Sequence, residues 1–570
     1  MLKRFLQDKR ANVAMMFGLV AVPLVAATGA AIDYSRAYER RMVVQDALDS
    51  AALAANRLIG LATEEEIYAE AIAFFNANTE GRLDSTLEVA MVIDGGSVEL
   101  TTELPVATSF LGIVGVDNIN FDLRSLTLAG AATYEVVLVL DNSGSMGGSK
   151  ISTLKSASLD LINSLFTLNS SNPQPDPVKM GIVPFAASVN VGPGFDNASW
   201  MDTTGLSPAA GLNHDWDDDI PNSTTFQNRF DLYDSMDYVD WLGCVEARPY
   251  PNDVNDATPT SAAPLTLFQP MFAPDEPDTN ESGIDDDYDN HYLNDEGGSC
   301  QTAGPQDGGS GGGSCDHLSG WAYVMCIWFG VGALPGDDLP PGADWCDEDS
   351  ADFERCKQER VCKYDGVNML SLSGYDEGPN LNCSTQPLTA LTTSQATLTA
   401  QINAMSTGGN TNIEEGIMWG WRLLSESSPF VEGRAYGDDG NHKIMIVMTD
   451  GANTYNDQNT INQSEYMAFN YTYHEDAGED VYLDVDEANP SSGDIEDAMN
   501  ARTIEACGNL HGTEITVYTI AFQMDDPDSQ SILLGCASDE NKAYSAENNA
   551  ELIAVFQLIA QDIATLRIAE

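Results

Sequence analysis

The sequence predicts an α/β protein in which a mostly parallel sheet, with helices on both faces, carries a large disulfide-rich insertion. Two apolar strands end in aspartates, Asp141 and Asp450, and a third apolar strand follows a helical pattern near the carboxyl end. Alternation of such strands with helical patterns is typical of βαβ units. An N-terminal transmembrane helix and a small α+β region are predicted to precede this fold.

Composition limits the functions that the chain can have. Its 570 residues include 25 Lys and Arg against 88 Asp and Glu, which gives a formal net charge of -63. Such a surface repels phosphate backbones, so we expect no nucleic-acid partner. At about 150 residues per domain, the length fits three or four folding units. Shifts in composition place the boundaries at 1–60, 61–130, 131–191, 192–385 and 386–570.

The first 60 residues are predicted to anchor the chain in a membrane. Residues 11–32 contain no charged side chain, and a helix of that length crosses a hydrocarbon core of about 30 Å. Four basic residues precede this segment, which places the amino terminus in the cytoplasm and exports the rest: Lys3, Arg4, Lys9 and Arg10. The alternative is a cleaved signal peptide, because Ala26, Ala27 and Ala30 offer small residues for processing.

Helical periodicity continues beyond the apolar segment. Apolar residues at helical spacing form one stripe: Val44, Ala47, Leu48, Ala51, Ala52, Ala55 and Leu58. A second helix is predicted over 64–76, followed by strand-like alternation over 87–92, 97–102 and 120–127. One long helix followed by a small sheet is the outline of a pilin.

This region resembles the N-terminal region of TadG-like proteins, which belong to the tight-adherence (Flp) pilus assembly system. The resemblance depends on the basic leader, the apolar helix that runs into Ile32-Asp33-Tyr34, and the segment V-Q-D-A-L-D-S-A-A-L-A-A at 44–55. It implies a single-pass protein of the bacterial inner membrane, with its bulk periplasmic or extracellular. It also implies a pilus or envelope protein as partner.

A candidate metal site follows the strand at 135–141. Asp141, Ser143 and Ser145 form a D-x-S-x-S pattern, and a helical pattern begins directly after the glycines that follow. One carboxylate and two hydroxyls at alternate positions present oxygens to a hard cation, while Gly144 allows the backbone to turn tightly around it. A phosphate-binding loop is excluded, because Lys150 is followed by Ile151 and the required G-K-[ST] is absent.

This pattern resembles the metal-ion-dependent adhesion site of von Willebrand factor A (vWA) domains. The resemblance implies two more ligands, a third hydroxyl at Thr411 in G-G-N-T and a second acid at Asp450. In an open α/β sheet, both aspartates lie at the strand edge where ligands bind. We expect Ser143, Ser145 and Thr411 to bind the ion directly, with Asp141 and Asp450 acting directly or through water.

Only two of these five ligands are charged, so the bound ion stays electrophilic and accepts an acidic side chain from a partner protein. An octahedral oxygen site favours Mg²⁺, with Mn²⁺ or Ca²⁺ as alternatives. The leading hypothesis is therefore a non-enzymatic adhesion or assembly protein. The alternative is an envelope sensor or scaffold whose vWA domain is structural and metal-free. We predict no catalytic residue, since the sequence contains no triad, nucleophile elbow or zinc motif.

The insertion at 192–385 contains eight of the ten cysteines and is rich in Asp, Asn, Pro and Gly. We expect loops joined by disulfides, in an oxidising compartment. The sequence does not tell which of these cysteines pair. Segments around Trp241, Phe272 and Cys383 resemble TadG-like proteins that end in a vWA domain. The remaining two cysteines, Cys507 and Cys536, are predicted to pair.

An acidic segment within the insertion has two interpretations. Four acidic residues occupy positions 1, 3, 5 and 12 of an EF-hand-like loop: Asp285, Asp287, Asp289 and Glu296. This spacing suits a Ca²⁺ site, although Asn290 stands where glycine is expected and no flanking helices are evident. The alternative is a solvated acidic loop.

Overall fold

The structure is a computed structural model. It describes residues 9–566 except 60–61, 84–86, 95–96, 129–131, 168, 170–171, 173, 217–225, 278–287, 294, 296–352, 370–373, 428, 439, 457–459, 463, 473–481, 484 and 486–490. The EF-hand-like pattern, with Asp285, Asp287 and Glu296, lies mostly outside the described residues. The chain divides into two compact units, Met1–Ala132 with Leu165–Pro177 and Asp562–Glu570, and Thr133–Ser164 with Val178–Gln561.

The first unit places two helices on one face of a three-stranded antiparallel sheet with the order β1-β2-β3. Its elements are α1 (Lys9–Asn56), α2 (Glu64–Thr79), β1 (Val89–Asp94), β2 (Ser97–Ala107) and β3 (Asn118–Leu128). The apolar stripe predicted from Val44 to Leu58 is confirmed, because its first six side chains are at most 1% exposed and Leu58 is half-buried against the same core. Burial alternates along β2, as expected for a sheet with one covered face.

Among the residues whose side chains the structure describes, no helix is both long and apolar enough to cross a membrane. Many side chains of the 11–32 segment fall outside that set. The predicted membrane span therefore stays a prediction.

The second unit is built on an eight-stranded sheet with the order β11-β10-β9-β4-β5-β6-β7, and β8 pairs with β5. The strands are β4 (Thr133–Asp141), β5 (Val178–Phe185), β6 (Val189–Asn190), β7 (Cys244–Val245), β8 (Thr389–Thr392), β9 (Asn441–Thr449), β10 (Ile515–Phe522) and β11 (Ala543–Ala546). The five strands from β11 to β5 run parallel, whereas β6, β7 and β8 pair antiparallel. The predicted α/β architecture with a mostly parallel sheet is confirmed.

Helices connect and cover these strands. They are α3 (Ser149–Thr167), α4 (Arg229–Ser235), α5 (Phe353–Glu359), α6 (Gln395–Ala404), α7 (Ile413–Leu424), α8 (Ser492–Leu510), α9 (Pro527–Cys536) and α10 (Asn549–Leu566). Helix α7 lies very close to the central strands, because a Cβ atom on Gly416 would come within 2.7 Å of Phe185 and one on Gly420 within 2.6 Å of Val139. This close packing fixes the start of α7, directly after Thr411, against the sheet.

The insertion differs from the loops that its composition predicts. Its described part contains helices α4 and α5, and its strand β7 extends the main sheet. Aromatic side chains from it also enter the central core, where the rings of Trp200 and Phe268 lie 6.3 and 4.9 Å from the ring of Trp419. Composition underestimates such order because a few large aromatic residues supply much buried area.

Two disulfides are described. Cys507 pairs with Cys536, which confirms the prediction, and Cys244 of β7 pairs with Cys383, a pairing that the sequence left open. The second bond joins the sheet extension to the end of the insertion, 139 residues away along the chain.

Candidate metal centre

Asp141 ends the central strand β4, and its side chain is fully buried. Its two carboxylate oxygens accept hydrogen bonds of 2.7 Å from the backbone N–H of Ser143 and from the hydroxyl of Thr449. Burial raises the pKa of Asp141 from 3.8 to about 6, and the nearby charge of Asp450 acts in the same direction. The hydrogen bonds from Ser143 and Thr449 oppose this shift, and none of these donors carries a charge.

A chain of side-chain hydrogen bonds joins the turn after β4 to the end of β9. The hydroxyl oxygens of Ser143 and Ser145 lie 2.9 Å apart, and the Ser145 hydroxyl donates to Asp450 at 2.6 Å. Asp450 directly follows β9, which pairs in parallel with β4. The two aspartates, 309 positions apart in number, thus meet because neighbouring parallel strands end at the same sheet edge.

The Thr411 loop is attached to the same turn through the backbone. Gly144 N–H donates to the carbonyl of Gly409 at 3.0 Å, and Gly408 N–H donates to the carbonyl of Asn142 at 2.9 Å. Thr411 itself is 2% exposed. The structure therefore places four predicted residues in one hydrogen-bonded group and brings in the fifth, Thr411, on an adjoining loop.

Two segments hold the Thr411 loop from outside. The hydroxyl of Ser384, at the end of the insertion, donates to the carbonyl of Gly408 at 2.9 Å. The segment after β9 supplies Thr454, which exchanges two hydrogen bonds with the backbone of Thr411. The same segment supplies Glu465, whose carboxylate accepts from Asn410. The end of the insertion and the segment after β9 thus both hold the Thr411 loop in place.

Lys150 was not identified as a site residue from the sequence. Its ammonium group lies 2.5 Å from the carboxylate of Asp450, and its side chain is 24% exposed. A lysine in the first turn of the helix that follows the D-x-S-x-S turn could have indicated this contact. Thr449 was missed as well, although its position beside Asp450 places it at the same strand end.

The donor set fits a hard cation. It offers hydroxyl and carboxylate oxygens, the ligands that Mg²⁺ prefers, and Asp141 has no cationic partner among its hydrogen-bond donors. In the described part of the chain, this site included, no group of three or more His, Cys, Asp or Glu side chains is placed to hold a metal ion, and the acids of this site are the two aspartates. Ser145 is exposed at the edge of the group, so a partner can approach from that side.

Comparison with known proteins identifies the N-terminal segment. Residues 11–62 match the family model described as "Putative Flp pilus-assembly TadE/G-like". The resemblance to TadG-like proteins predicted from the sequence is thereby confirmed for this segment. Among curated proteins, no sequence match was found.

Several solved structures are similar to the chain at low identity. They include the vWF domain of the type V pili tip protein Mfa5 from Porphyromonas gingivalis, at 11% identity and a TM-score of 0.30, covering 77% of this chain and 97% of that one. The pilus adhesin RrgA from Streptococcus pneumoniae matches at 9% identity and 0.31, covering 84% and 49%. The pilus adhesin SpaC from Lactobacillus rhamnosus GG matches at 10% and 0.30, covering 84% of this chain and only 34% of SpaC. Likenesses this weak carry no information about ligands.

Proposed function

We propose that this chain, whose N-terminal segment is of the TadE/G-like kind, is a membrane-anchored TadG-like protein of Flp pilus assembly. Its C-terminal unit would be a vWA domain that binds Mg²⁺, with Mn²⁺ or Ca²⁺ as alternatives. Asp141, Ser143, Ser145, Thr411 and Asp450 would hold the ion. The protein would act without catalysis, as an adhesion or assembly module on the outer side of the bacterial inner membrane.

The convergence of the three site loops is the observation that supports this proposal most directly. Ser143, Ser145 and Asp450 form a continuous hydrogen-bonded chain, and the Thr411 loop is bonded to the same turn. Two carboxylates close together in a largely buried group repel each other, so a divalent ion would relieve a real electrostatic cost. An open position on that ion would then accept an acidic side chain of a pilus or envelope protein.

Lys150 supports a second candidate function, an envelope scaffold with a structural, metal-free vWA domain. Its ammonium group already compensates one of the two carboxylates through its contact with Asp450. In a protein that never binds a metal ion, this contact would suffice to keep the site folded. The two candidates therefore differ in whether the purified protein contains a stoichiometric divalent ion.

Metal binding by the full chain in detergent tests both candidates, with Mn²⁺ as a probe that calorimetry and electron paramagnetic resonance can follow. We expect one Mn²⁺ per chain in the parent protein and none after Asp141→Ala with Ser143→Ala, because that change removes a carboxylate and a hydroxyl ligand. The control is Ser156→Ala with Asp160→Ala, which removes the same two groups from exposed positions of α3.

The partner is tested on membranes that carry the same variants. A pilus or envelope protein should co-purify with the parent and with the control variant, and a chelator should release it from both. If the parent binds no Mn²⁺, the scaffold is the better description. If piliation and partner binding survive both the chelator and the double site variant, the proposed metal role is wrong.

A further inference from the structure

The connection between β2 and β3 is fastened to the first helix, α1. The carboxylate of Asp33 accepts hydrogen bonds from three consecutive backbone N–H groups, those of Ser109, Phe110 and Leu111, at 3.0, 2.7 and 2.8 Å. Asp33 is only 4% exposed. A carboxylate with three backbone donors is well satisfied, so this loop, residues 108–117, is held at a fixed position along the axis of α1.

Phe110 also contributes to that position along α1. A Cβ atom on Gly29 would lie 2.7 Å from the Cβ of Phe110, so the aromatic residue packs directly against the helix at Gly29. Gly29 belongs to the 11–32 segment predicted to cross the membrane, about 4.5 Å before its end at 1.5 Å per residue. If α1 is inserted to Ile32, Phe110 lies at the level of the lipid.

The loop and the adjoining part of α1 present partly exposed apolar side chains. Phe110 is 43% exposed and Val116 is 44% exposed, while Ile32 on the helix is 45% exposed. Tyr34 and Tyr38, two and six residues after Ile32 on α1, are 59% and 43% exposed. Exposed aromatic residues next to an apolar helix are typical of the boundary between lipid and water.

The charge of the chain changes sign at the same place. Seven of its 25 Lys and Arg residues lie within the first 41 residues, against three of its 88 Asp and Glu residues. Three of those seven directly follow the apolar segment: Arg36, Arg40 and Arg41. In an otherwise strongly acidic chain, this cluster of three arginines is complementary to anionic lipid headgroups.

We propose that the 108–117 loop is a lipid-contacting loop, with Phe110 and Val116 in the headgroup region of an anionic phospholipid bilayer. The inference rests on the proposed membrane anchoring of α1 and adds a second, peripheral contact to it. The loop fixes how far the helix inserts, because Asp33 and Gly29 tie it to the end of the predicted span.

Photo-crosslinking of the full chain in anionic phospholipid vesicles tests this inference. Phe110 is replaced by the photoreactive residue p-benzoylphenylalanine, and lipid adducts are counted by mass spectrometry. The matched control carries the same residue at Leu126, which is 49% exposed on β3 and lies eight residues, about 27 Å, from the loop end of that strand. We expect about tenfold more lipid adduct at position 110, because a side chain in the headgroup region meets lipid continuously.

A third variant separates the two ways in which the inference can fail. Phe17, which is 75% exposed within the predicted span, is replaced by the same residue. Adducts at 17 with none at 110 overturn the lipid-contacting loop and leave the anchor intact. No adducts at 17 and 110 overturn the anchor together with the loop, and equal adducts at 110 and 126 overturn the loop alone.

Discussion

The two ends of strand β4 each bury a carboxylate completely, but they surround it with different groups. Glu135, near the start of the strand, has three cations around it. The ammonium of Lys443 lies 2.8 Å away, the guanidinium of Arg434 3.2 Å and the ammonium of Lys179 3.9 Å. Asp141, at the other end, receives hydrogen bonds from neutral groups and has a second carboxylate, Asp450, nearby.

This contrast shows that the fold can compensate a buried charge and does so at one end only. Taking a carboxylate out of water costs several kcal/mol unless cations or strong donors replace the lost solvation. At Glu135 the protein supplies the cations itself. At Asp141 it leaves a negative charge at the sheet edge where ligands bind, and Lys150 offsets only the neighbouring Asp450. Under the proposed function, a divalent ion would remove that deficit.

The largest expected effect comes from neutralising the compensated end. Glu135→Gln removes the charge that faces Lys443, whose ammonium also donates to the carbonyls of Leu424 and Arg434. A buried ammonium that loses its hydrogen-bonded counter-charge should cost about 3–5 kcal/mol in the free energy of unfolding. Urea unfolding in a chelator, followed by tryptophan fluorescence, measures this, because all eight tryptophans lie in the second unit.

Asp141→Asn is the matched control at the other end of the strand, with the same change of carboxylate to amide. Because burial and Asp450 raise the pKa of Asp141 to about 6, neutralising it should cost nothing in a chelator or raise stability by about 1–2 kcal/mol. Equal losses in the free energy of unfolding for the two variants would mean that both carboxylates are structural, and would contradict the contrast drawn between Glu135 and Asp141.

Much of the candidate site could be predicted from the sequence. Asp141 and Asp450 are visible because each ends an apolar run, and the strands that carry them, β4 and β9, pair in parallel. The buried stripe of α1 follows from helical spacing alone. These features depend on local patterns, and local patterns are what a single sequence records.

Contacts made by residues outside these patterns could not be predicted. Lys150 and Asp450 are 300 positions apart, and Glu465 reaches the Thr411 loop from a segment that no pattern marks as part of the site. The composition of the insertion predicts loops, yet Trp200 and Phe268 from it pack on Trp419 of α7. Side chains that pack without regular spacing leave no periodic signal in the sequence.

A smaller change in the free energy of unfolding is expected when a metal ion compensates the negative charge at Asp141. Mg²⁺ at about 100 times its dissociation constant should raise the free energy of unfolding of the parent chain by about 3 kcal/mol, since the ion binds only the folded site. Glu135→Gln, although destabilised, should gain the same amount, and Asp141→Asn should gain nothing. The measurement is urea unfolding with and without Mg²⁺ at constant ionic strength.

Two results would contradict this prediction. A gain in Asp141→Asn equal to that of the parent would place the responsible ion elsewhere. No gain in the parent, with Glu135→Gln still destabilised, would leave the electrostatic contrast intact and favour the scaffold in which Lys150 is the permanent counter-ion.

The smallest expected effect tests, away from both ends of β4, how well hydrogen bonds from neutral donors keep a buried carboxylate ionised. Glu276 is fully buried and accepts hydrogen bonds from the hydroxyl of Tyr471, the amide of Gln358 and the backbone N–H of Ile461, all neutral donors. Burial raises the pKa of Glu276 from 4.5 to about 7, and the hydrogen bonds from Tyr471 and Ile461, together with the more distant charge of Lys363, only partly oppose the shift. These groups therefore do not keep the Glu276 carboxylate fully ionised at neutral pH.

Stability should then depend on pH in a defined direction. Between the unfolded pKa of 4.5 and the folded pKa of about 7, the folded chain binds more protons than the unfolded chain, so stability from this group falls as pH rises. Integrated from pH 6 to pH 8, the loss is about 1 kcal/mol.

Glu276→Gln should remove that part of the pH dependence, measured by urea unfolding in a chelator. Tyr471→Phe deletes a donor that favours the ionised form and should move the loss to higher pH. If Glu276→Gln keeps the parent's full difference between pH 6 and pH 8, neutral donors do compensate a buried carboxylate in this fold, and Asp141 would need no cation.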